Sequence, residues 1–274
     1  MNRRRALLAA VVASVMLAAG PLRADELELD LGWDLGLTLG FGSAWILSEA
    51  FKGELAPEAC RWCEPNGFDT AARDALRLDD TAAADATSYV VGFALLPALV
   101  LGLNAASARD EGHAVQGAED LLLVAEAVAL SASLNQLTKF LVGRERPFVH
   151  ALEPGWKDRT RDPADNNLSF FSGHTTLAFA VAVSGATVAT LRGYDTAPYL
   201  WAIGGALAIL TGGLRIAADR HYLSDVLVGA AVGSLVGWAV PWLHRASEDD
   251  DEETGMLSRA TIGAGPDLTF SWAF

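Results

Sequence analysis

Long uncharged blocks alternate with short polar segments along most of this chain. Each block approaches the roughly 20 residues with which an α-helix crosses a bilayer. The blocks cover residues 86–108, 121–138 (interrupted only by Glu126), 175–191, 196–214 and 226–243. This pattern predicts an all-α fold, a helical bundle that is embedded in a membrane through about five long apolar helices.

Two details refine the apolar pattern. Residues 35–48 give only 14 uncharged positions, which predicts one shorter helix that is buried or interfacial and does not cross the membrane. In the last block, Gly229, Gly233 and Gly237 recur every four residues. Such a ridge of small residues allows close contact between helices, so we expect another helix to pack directly against it.

The two ends of the chain differ from the blocks between them. Residues 1–24 begin with a positive cluster, continue with an apolar stretch and end in small residues, which is typical of a secretory signal peptide. We therefore expect the mature chain to start near Asp25, outside the cytoplasm. Residues 244–274 contain the acidic run SEDDDEE and the alternating end DLTFSWAF, which predict an acidic linker and a short strand-like tail.

Residues 25–118 form the predicted N-terminal helical region. Its polar part, residues 51–85, has helical spacing without recognisable chemistry, and we expect a solvated cap there. Cys60 and Cys63 would lie in an oxidising compartment, which favours a disulfide between them over a redox or zinc site.

The chain is acidic, with a formal charge of −14 that becomes −18 without the predicted signal peptide. This charge argues against nucleic acid as a partner. Of the 20 Lys and Arg residues, four belong to the signal peptide, and half of the remaining 16 lie in three short stretches. These are Lys139, Arg144, Arg146, Lys157, Arg159, Arg161, Arg215 and Arg220. An anionic substrate would therefore be attracted by a local basic cluster.

Ionisable and hydroxyl side chains stand at the ends of the apolar blocks. They are Lys139, Arg146, Ser172, Gly173, His174, Arg215, His221 and Asp225. Successive helices of an up-and-down bundle bring alternate ends to one face, so we expect these groups to lie together. Lys139 and Arg146 are two helical turns apart, which predicts one face of a helix that Pro147 then ends.

The histidines indicate nucleophilic catalysis. The i, i+4 spacing of His221 and Asp225 allows the carboxylate to orient one imidazole nitrogen and to leave the other free to attack. His174 would protonate the leaving oxygen as a general acid. The pattern thus contains a nucleophile, its orienting partner and an acid.

The remaining residues would bind a phosphoryl group. Lys139, Arg146 and Arg215 would neutralise its charge, and Ser172 with the backbone N–H of Gly173 would add donors. Each group has a plainer interpretation when taken alone: a lysine at the end of a span, a helix cap at Ser-Gly-His, and a structural His–Asp pair. Together the groups favour a catalytic site.

The three motifs resemble those of the type 2 phosphatidic acid phosphatase (PAP2) and vanadium haloperoxidase superfamily. The similarity rests on KFLVGRERP (139–147), FSGH (171–174) and RIAADRHYLSD (215–225). It extends over about residues 119–243, the expected catalytic core. It implies an all-α fold, metal-independent hydrolysis of phosphate esters, a phosphohistidine on His221 and an acid at His174.

Two positions depart from the family pattern. Phe171 stands where the family usually has proline, and Leu214 stands where it usually has serine. The first change affects only loop stiffness, so we expect activity to survive. The second removes one hydrogen bond to phosphate, worth about 1 kcal/mol.

We therefore expect an exported phosphatase of the inner membrane whose active site faces the periplasm. Its substrate would be a phosphomonoester or diphosphate on a lipid, such as phosphatidic acid, a polyprenyl diphosphate or lipid A, and its partners that lipid and the bilayer. We expect no metal or other cofactor. The alternatives are a soluble periplasmic acid phosphatase that acts on small esters, a haloperoxidase in which His221 holds vanadate, and a membrane protein with a degenerate site.

Overall fold

The computed structural model describes residues 27–110 and 114–246, so the predicted signal peptide and the tail from residue 247 lie outside the described residues. The described chain is all-α. The helices are α1 Leu31–Ala50, α2 Lys52–Leu55, α3 Gly67–Leu76, α4 Thr81–Asp110, α5 Ala114–Val142, α6 Pro147–His150, α7 Gly173–Leu191, α8 Ala197–Ala217 and α9 Leu223–Leu243. Short 3₁₀ turns, Pro154–Arg159 and Pro163–Asp165, lie between α6 and α7.

Five of these helices, α4, α5, α7, α8 and α9, are long and apolar enough to cross a membrane. This confirms the predicted all-α fold with five long apolar helices. Helix α7 lies at the centre and contacts the other four, and most of its residues are buried. Helices α4 and α8 each contain one π-helical turn, at Val91–Leu95 and Leu200–Gly204.

The glycine ridge of α9 packs against the backbone of α7. A Cβ added to Gly233 would lie 2.3 Å from the carbonyl oxygen of Thr176, and one added to Gly229 would lie 2.8 Å from that of Ser172. Neither position has room for a methyl group. The ridge therefore lets α9 pack closely against α7, as the sequence predicts.

Helix α1 is longer and more exposed than the apolar block 35–48 predicts. It has 20 residues, and Asp30 caps its start by accepting hydrogen bonds from the backbone of Gly32 and Trp33. It packs along α5, yet large apolar side chains along its length are exposed, among them Trp33, Leu39 and Ile46. Of the two predicted alternatives, a buried helix or an interfacial helix, these exposed side chains exclude the buried one.

Helix α1 also runs the length of the bundle. Near its start, Asp34 Oδ1 lies 3.2 Å from Nε2 of His244, just beyond the end of α9. Near its end, Glu49 accepts a hydrogen bond of 2.9 Å from Gln136 in the last turns of α5. The helix therefore connects the end of the bundle at His244 with the end where α5 finishes.

The first and last described residues meet at the His244 end. Leu27 forms an antiparallel bridge with Arg245, and the N–H of Glu28 donates to the carbonyl of His244 at 2.8 Å. These contacts join the start of α1 to the end of α9, across almost the whole described chain.

Candidate active site

The three sequence motifs meet at one end of the bundle, around a cavity of about 1310 Å³. We call this the cavity end. Six of the eight predicted site residues line the cavity: Lys139, Arg146, Gly173, His174, Arg215 and His221. They come from the end of α5, the segment after it, the start of α7, the end of α8 and the loop before α9.

Arg146 reaches the cavity by a different route from the one that the sequence suggests. Helix α5 ends at Val142, and Gly143 then takes a left-handed conformation with φ 59°, a common way for a helix to stop. Pro147 begins α6 instead of ending α5, in the first-turn position that proline favours. The prediction that Lys139 and Arg146 share one helical face is therefore wrong, although both side chains line the cavity.

The orientation of His221 follows from its hydrogen bonds. Its Nδ1 lies 2.8 Å from the carbonyl oxygen of Ser169, and its Nε2 lies 3.2 Å from Nη1 of Arg146. A carbonyl only accepts and a guanidinium only donates, so Nδ1 carries the proton and Nε2 is the free base. Burial, followed by the charges of Arg146, Arg215 and Lys139, lowers the pKa of His221 well below 6.5. The imidazole is thus neutral, with its lone pair on the cavity side.

Asp225 acts on His221 less directly than the spacing predicts. Helix α9 begins at Leu223, so the two residues do not share a helix, and Asp225 Oδ2 lies 3.6 Å from Nδ1 of His221. The carboxylate instead accepts hydrogen bonds from the Ser169 hydroxyl at 2.6 Å and the Tyr222 N–H at 2.9 Å. It therefore fixes the two backbone segments that hold the imidazole, one on each side.

Ser172 does not reach the cavity, contrary to prediction. It occupies the position before α7, but its side chain makes no capping bond, and its hydroxyl pairs with that of Thr175 at 2.8 Å. Gly173 does lie at the cavity, where an added Cβ would sit 2.9 Å from Oδ1 of Asn135 and 3.3 Å from Nζ of Lys139. Glycine therefore leaves room for the ends of the Asn135 and Lys139 side chains, which a larger residue would push aside.

Three nitrogens around the cavity have no partner. Nε2 of His174 and Nε of Arg215 are buried without a hydrogen bond, and within the described chain no carboxylate pairs with Lys139. The His174 ring is held edge-on against Tyr89 and Phe93, with centroids 4.3 and 4.7 Å away. Buried donors of this kind normally find an acceptor. The cavity is therefore built to receive an anion.

The segment 51–85, predicted as a solvated cap, supports the site. Asp69 of α3 is fully buried and binds Arg144 at 2.7 Å, and Arg144 also pairs with Asp225. Asp85 pairs with Arg215 and, at 2.8 Å, with Arg220. No local pattern could reveal these pairs, because the partners lie far apart in the sequence.

Two further parts of the cap fix the loop before α9. Arg73 binds both carboxylate oxygens of Asp219 at 2.6 Å, and Asp219 has a left-handed backbone with φ 57°. The Arg144 guanidinium is stacked between the rings of Trp62 and Tyr222, 3.8 and 4.3 Å from their centroids. The loop that carries His221 is thus clamped from the side of the cap.

Asp165 is an acidic residue at the cavity that the sequence did not single out. It accepts a hydrogen bond of 2.9 Å from Nη2 of Arg146. Burial raises the pKa of Asp165, but the charges of Arg146, Lys139 and Lys52 outweigh this effect and hold the pKa below 3.8. The ionised carboxylate therefore keeps Arg146 oriented beside His221. Glu145, which had no assigned role, pairs with Lys157 at 2.7 Å.

Comparisons with known proteins agree with the motifs. Residues 120–249 match the PAP2 superfamily. The lipid A 1-phosphatase of Porphyromonas gingivalis is 36% identical over 124 residues, which are 44% of this chain and 24% of that protein. Phospholipid phosphatase 2 of Bos taurus is 29% identical over 161 residues, which are 47% of this chain and 56% of that protein. The chain therefore spans between about a quarter and just over half of the length of these relatives.

A solved structure also shows similarity. The transmembrane PAP2-type phosphatidylglycerolphosphate phosphatase of Bacillus subtilis superposes with a TM-score of 0.46 at 18% identity, over 84% of this chain and 98% of that one. The residues that match the superfamily include all three motifs and every helix that lines the cavity except α1, α2, α3 and α4. The part of the chain that is similar to the PAP2 superfamily, residues 120–249, is just under half of its length.

Proposed function

We propose that this protein is a metal-independent phosphatase that removes phosphate from a lipid phosphomonoester or diphosphate through a phosphohistidine on His221. The observation that carries the proposal is the cavity itself. A neutral imidazole nitrogen faces a space where Nε2 of His174 and Nε of Arg215 have no hydrogen-bond partner and where Lys139 has no paired carboxylate among the described residues. These are the groups that an incoming phosphoryl group needs.

In the first step, Nε2 of His221 attacks phosphorus and the bond from phosphorus to the leaving oxygen breaks. Nδ1 keeps its proton, and the Ser169 carbonyl stabilises the positive charge that develops on the ring. His174 donates a proton to the leaving oxygen. The lipid alcohol, or the lipid monophosphate when the substrate is a diphosphate, therefore leaves without a negative charge on that oxygen. Lys139, Arg146 and Arg215 stabilise the charge on the phosphoryl oxygens in flight.

In the second step, water replaces the histidine. His174, now a base, takes a proton from a water molecule whose oxygen attacks phosphorus, and the bond from phosphorus to Nε2 breaks. The products are inorganic phosphate and the original neutral His221. The positive charge of the three basic residues takes the place of a metal ion in both steps.

A lipid fits the site better than a small ester. Trp45 of α1 and Tyr89 and Phe93 of α4 line the cavity, and the two α4 rings are about half exposed. Exposed aromatic rings at the edge of a polar cavity suit the acyl or prenyl chain that follows a lipid phosphate. The names of the relatives, a lipid A 1-phosphatase and a phospholipid phosphatase, support the same substrate class.

We also propose that the cavity end faces the periplasm. Cys60 and Cys63 form a disulfide, and the segment between them is attached to the cavity end, where Arg61 N–H donates to the Gly143 carbonyl at 2.8 Å. Disulfides persist outside the cytoplasm. Because α1 runs the length of the bundle, this orientation places Leu27 and His244 on the cytoplasmic side. The proposal therefore replaces the expectation that the chain starts outside the cytoplasm near Asp25.

The test compares lipids with their water-soluble head groups. Phosphate release by the purified protein in detergent is measured with phosphatidic acid against glycerol 3-phosphate, and with a polyprenyl diphosphate against inorganic pyrophosphate, all in excess EDTA. We expect the lipids to react at least about tenfold faster in kcat/KM, and the folded protein to keep this activity in EDTA. Faster turnover of the soluble esters contradicts the lipid assignment, and activity that EDTA removes and magnesium restores contradicts the mechanism.

Variants test the assigned roles. His221→Ala should abolish turnover, and His174→Ala should reduce kcat by about a hundredfold to ten-thousandfold, the usual contribution of a general acid. His150→Ala is the matched control, because His150 is partly exposed and pairs with Glu145. Substantial turnover by His221→Ala refutes the phosphohistidine. Bromide oxidation with vanadate and peroxide would instead assign the haloperoxidase chemistry.

A further inference from the structure

A second polar cluster lies in the bundle, away from the cavity. It consists of Asp34 in the first turn of α1, Glu126 in the middle of α5, and His244 after the end of α9. One ligand atom from each residue lies within 4.8 Å of the others. Glu126 is 13 residues before Lys139 on the same helix, about 20 Å along its axis. The cluster is therefore separate from the phosphate site.

The carboxylates of this cluster are buried without partners. Asp34 is 2% exposed and Glu126 is 6% exposed. Oδ2 of Asp34 and Oε2 of Glu126 have no hydrogen-bond partner. Buried charged oxygens without a partner are costly, and more so in a helix that crosses a membrane. These oxygens therefore need a cation.

The imidazole of His244 is already oriented as a metal ligand. Its Nδ1 lies 2.8 Å from the carbonyl oxygen of Val240, which only accepts, so Nδ1 carries the proton. In the neutral ring, Nε2 presents a lone pair to Oδ1 of Asp34 at 3.2 Å, and two acceptors at that distance repel each other. A cation between them removes the repulsion. Histidine ligands usually donate their second N–H to a backbone carbonyl in this way.

We propose that Asp34, Glu126 and His244 bind one divalent transition-metal ion, for which zinc is the best match. One imidazole and two carboxylates are zinc ligands, and water would complete four-fold coordination. Magnesium and calcium prefer oxygen ligands alone. The charge of the ion balances the two carboxylates. The ion ties α1 to α5 and to the end of α9, so it has a structural role and takes no part in phosphate transfer.

The test measures zinc directly in the full-length protein. The purified protein in detergent is stripped with a chelator, dialysed into defined free Zn²⁺ and analysed for bound metal. We expect about one ion per chain, a melting temperature that rises with Zn²⁺, and a visible spectrum of a nitrogen–oxygen site with Co²⁺. Glu126→Gln and His244→Gln should each weaken zinc binding by at least about a hundredfold, more than the loss of an outer-shell partner.

Controls separate this site from other effects. Glu119→Gln on the same helix and His150→Gln should bind zinc like the wild type. His221→Ala should also bind zinc normally, which keeps the metal site independent of the proposed phosphatase activity. Less than about one ion per five wild-type chains at saturating Zn²⁺ overturns the proposal. Unchanged affinity in both Glu126→Gln and His244→Gln also overturns it, and a protonated His244 would then balance the carboxylates.

Discussion

Replacing Asp69 by asparagine tests whether the cap supports the active site. Asp69 lies in α3 and is fully buried. Its Oδ2 accepts from Arg144 at 2.7 Å and from the hydroxyl of Ser224 at 2.7 Å, while its Oδ1 accepts from the N–H of Ser224 at 2.8 Å. Asparagine keeps the shape, but its NH₂ group must face one of these donors, and the negative charge beside Arg144 is lost.

The structure gives the size of the effect. Arg144 has a side chain that is 1% exposed, and after the substitution only Asp225 remains as its carboxylate partner. Breaking one half of a buried ion pair costs about 3–5 kcal/mol. For a protein of this size, each kcal/mol lowers the melting temperature by about 2–4 °C. The expected loss for Asp69→Asn is therefore roughly 6–20 °C.

The assay is thermal unfolding of the purified protein in detergent, followed by tryptophan fluorescence. Asp74→Asn is the matched control, because Asp74 is an exposed aspartate on the same helix, and it should shift stability by less than about 0.5 kcal/mol. We also expect Asp69→Asn to lower kcat at temperatures where it is folded, since Asp225 and the loop of His221 depend on Arg144. Equal melting temperatures for the two variants would refute the buried connection between cap and core.

Three other predictions concern packing, pH and orientation. Gly233→Ala should destabilise the protein by about 1–3 kcal/mol through overpacking against α7. Gly213 has open space around it, so Gly213→Ala should be neutral or stabilising, and equal melting temperatures for the two variants would contradict the close contact. Because the pKa of His221 is held well below 6.5, its nucleophilic form persists on acidification, so kcat/KM corrected for substrate ionisation should not fall as the pH passes through 6.5. An acid limb centred near 6.5 would contradict this. In intact spheroplasts, a membrane-impermeant thiol reagent should label Arg161→Cys but not Glu28→Cys; the reverse result places the cavity inside, and labelling of both favours a soluble periplasmic protein.

The sequence was sufficient for the long helices and for most of the cavity. The apolar blocks predicted five long helices, and polar residues at their ends predicted which side chains would meet. Both rest on patterns that extend over one helix at a time. His174, Arg215 and His221 follow from that logic because each stands at a helix end that faces the cavity.

The errors arose where local geometry or distant partners decide the structure. Gly143 stops α5 before Arg146, and Ser172 turns its hydroxyl to Thr175, although the spacing suggested otherwise. The role of Asp69 depends on Arg144, which is 75 positions away in the sequence. The residues next to Asp69 give no indication of that partner. A polar segment with helical spacing looks the same in the sequence whether it faces water or a buried arginine.

The meeting of Leu27 with Arg245 has a consequence for biosynthesis. Of the described helices, α1 is made first, but the contacts of Asp34 with His244 and of Leu27 with Arg245 cannot form until the last helix has been made. Until then, α1 can pack along α5 without these contacts at its start. A ribosome that stalls before residue 244 should therefore leave a nascent chain whose first helix is open to proteases. The final residues of the bundle complete the fold of its first helix.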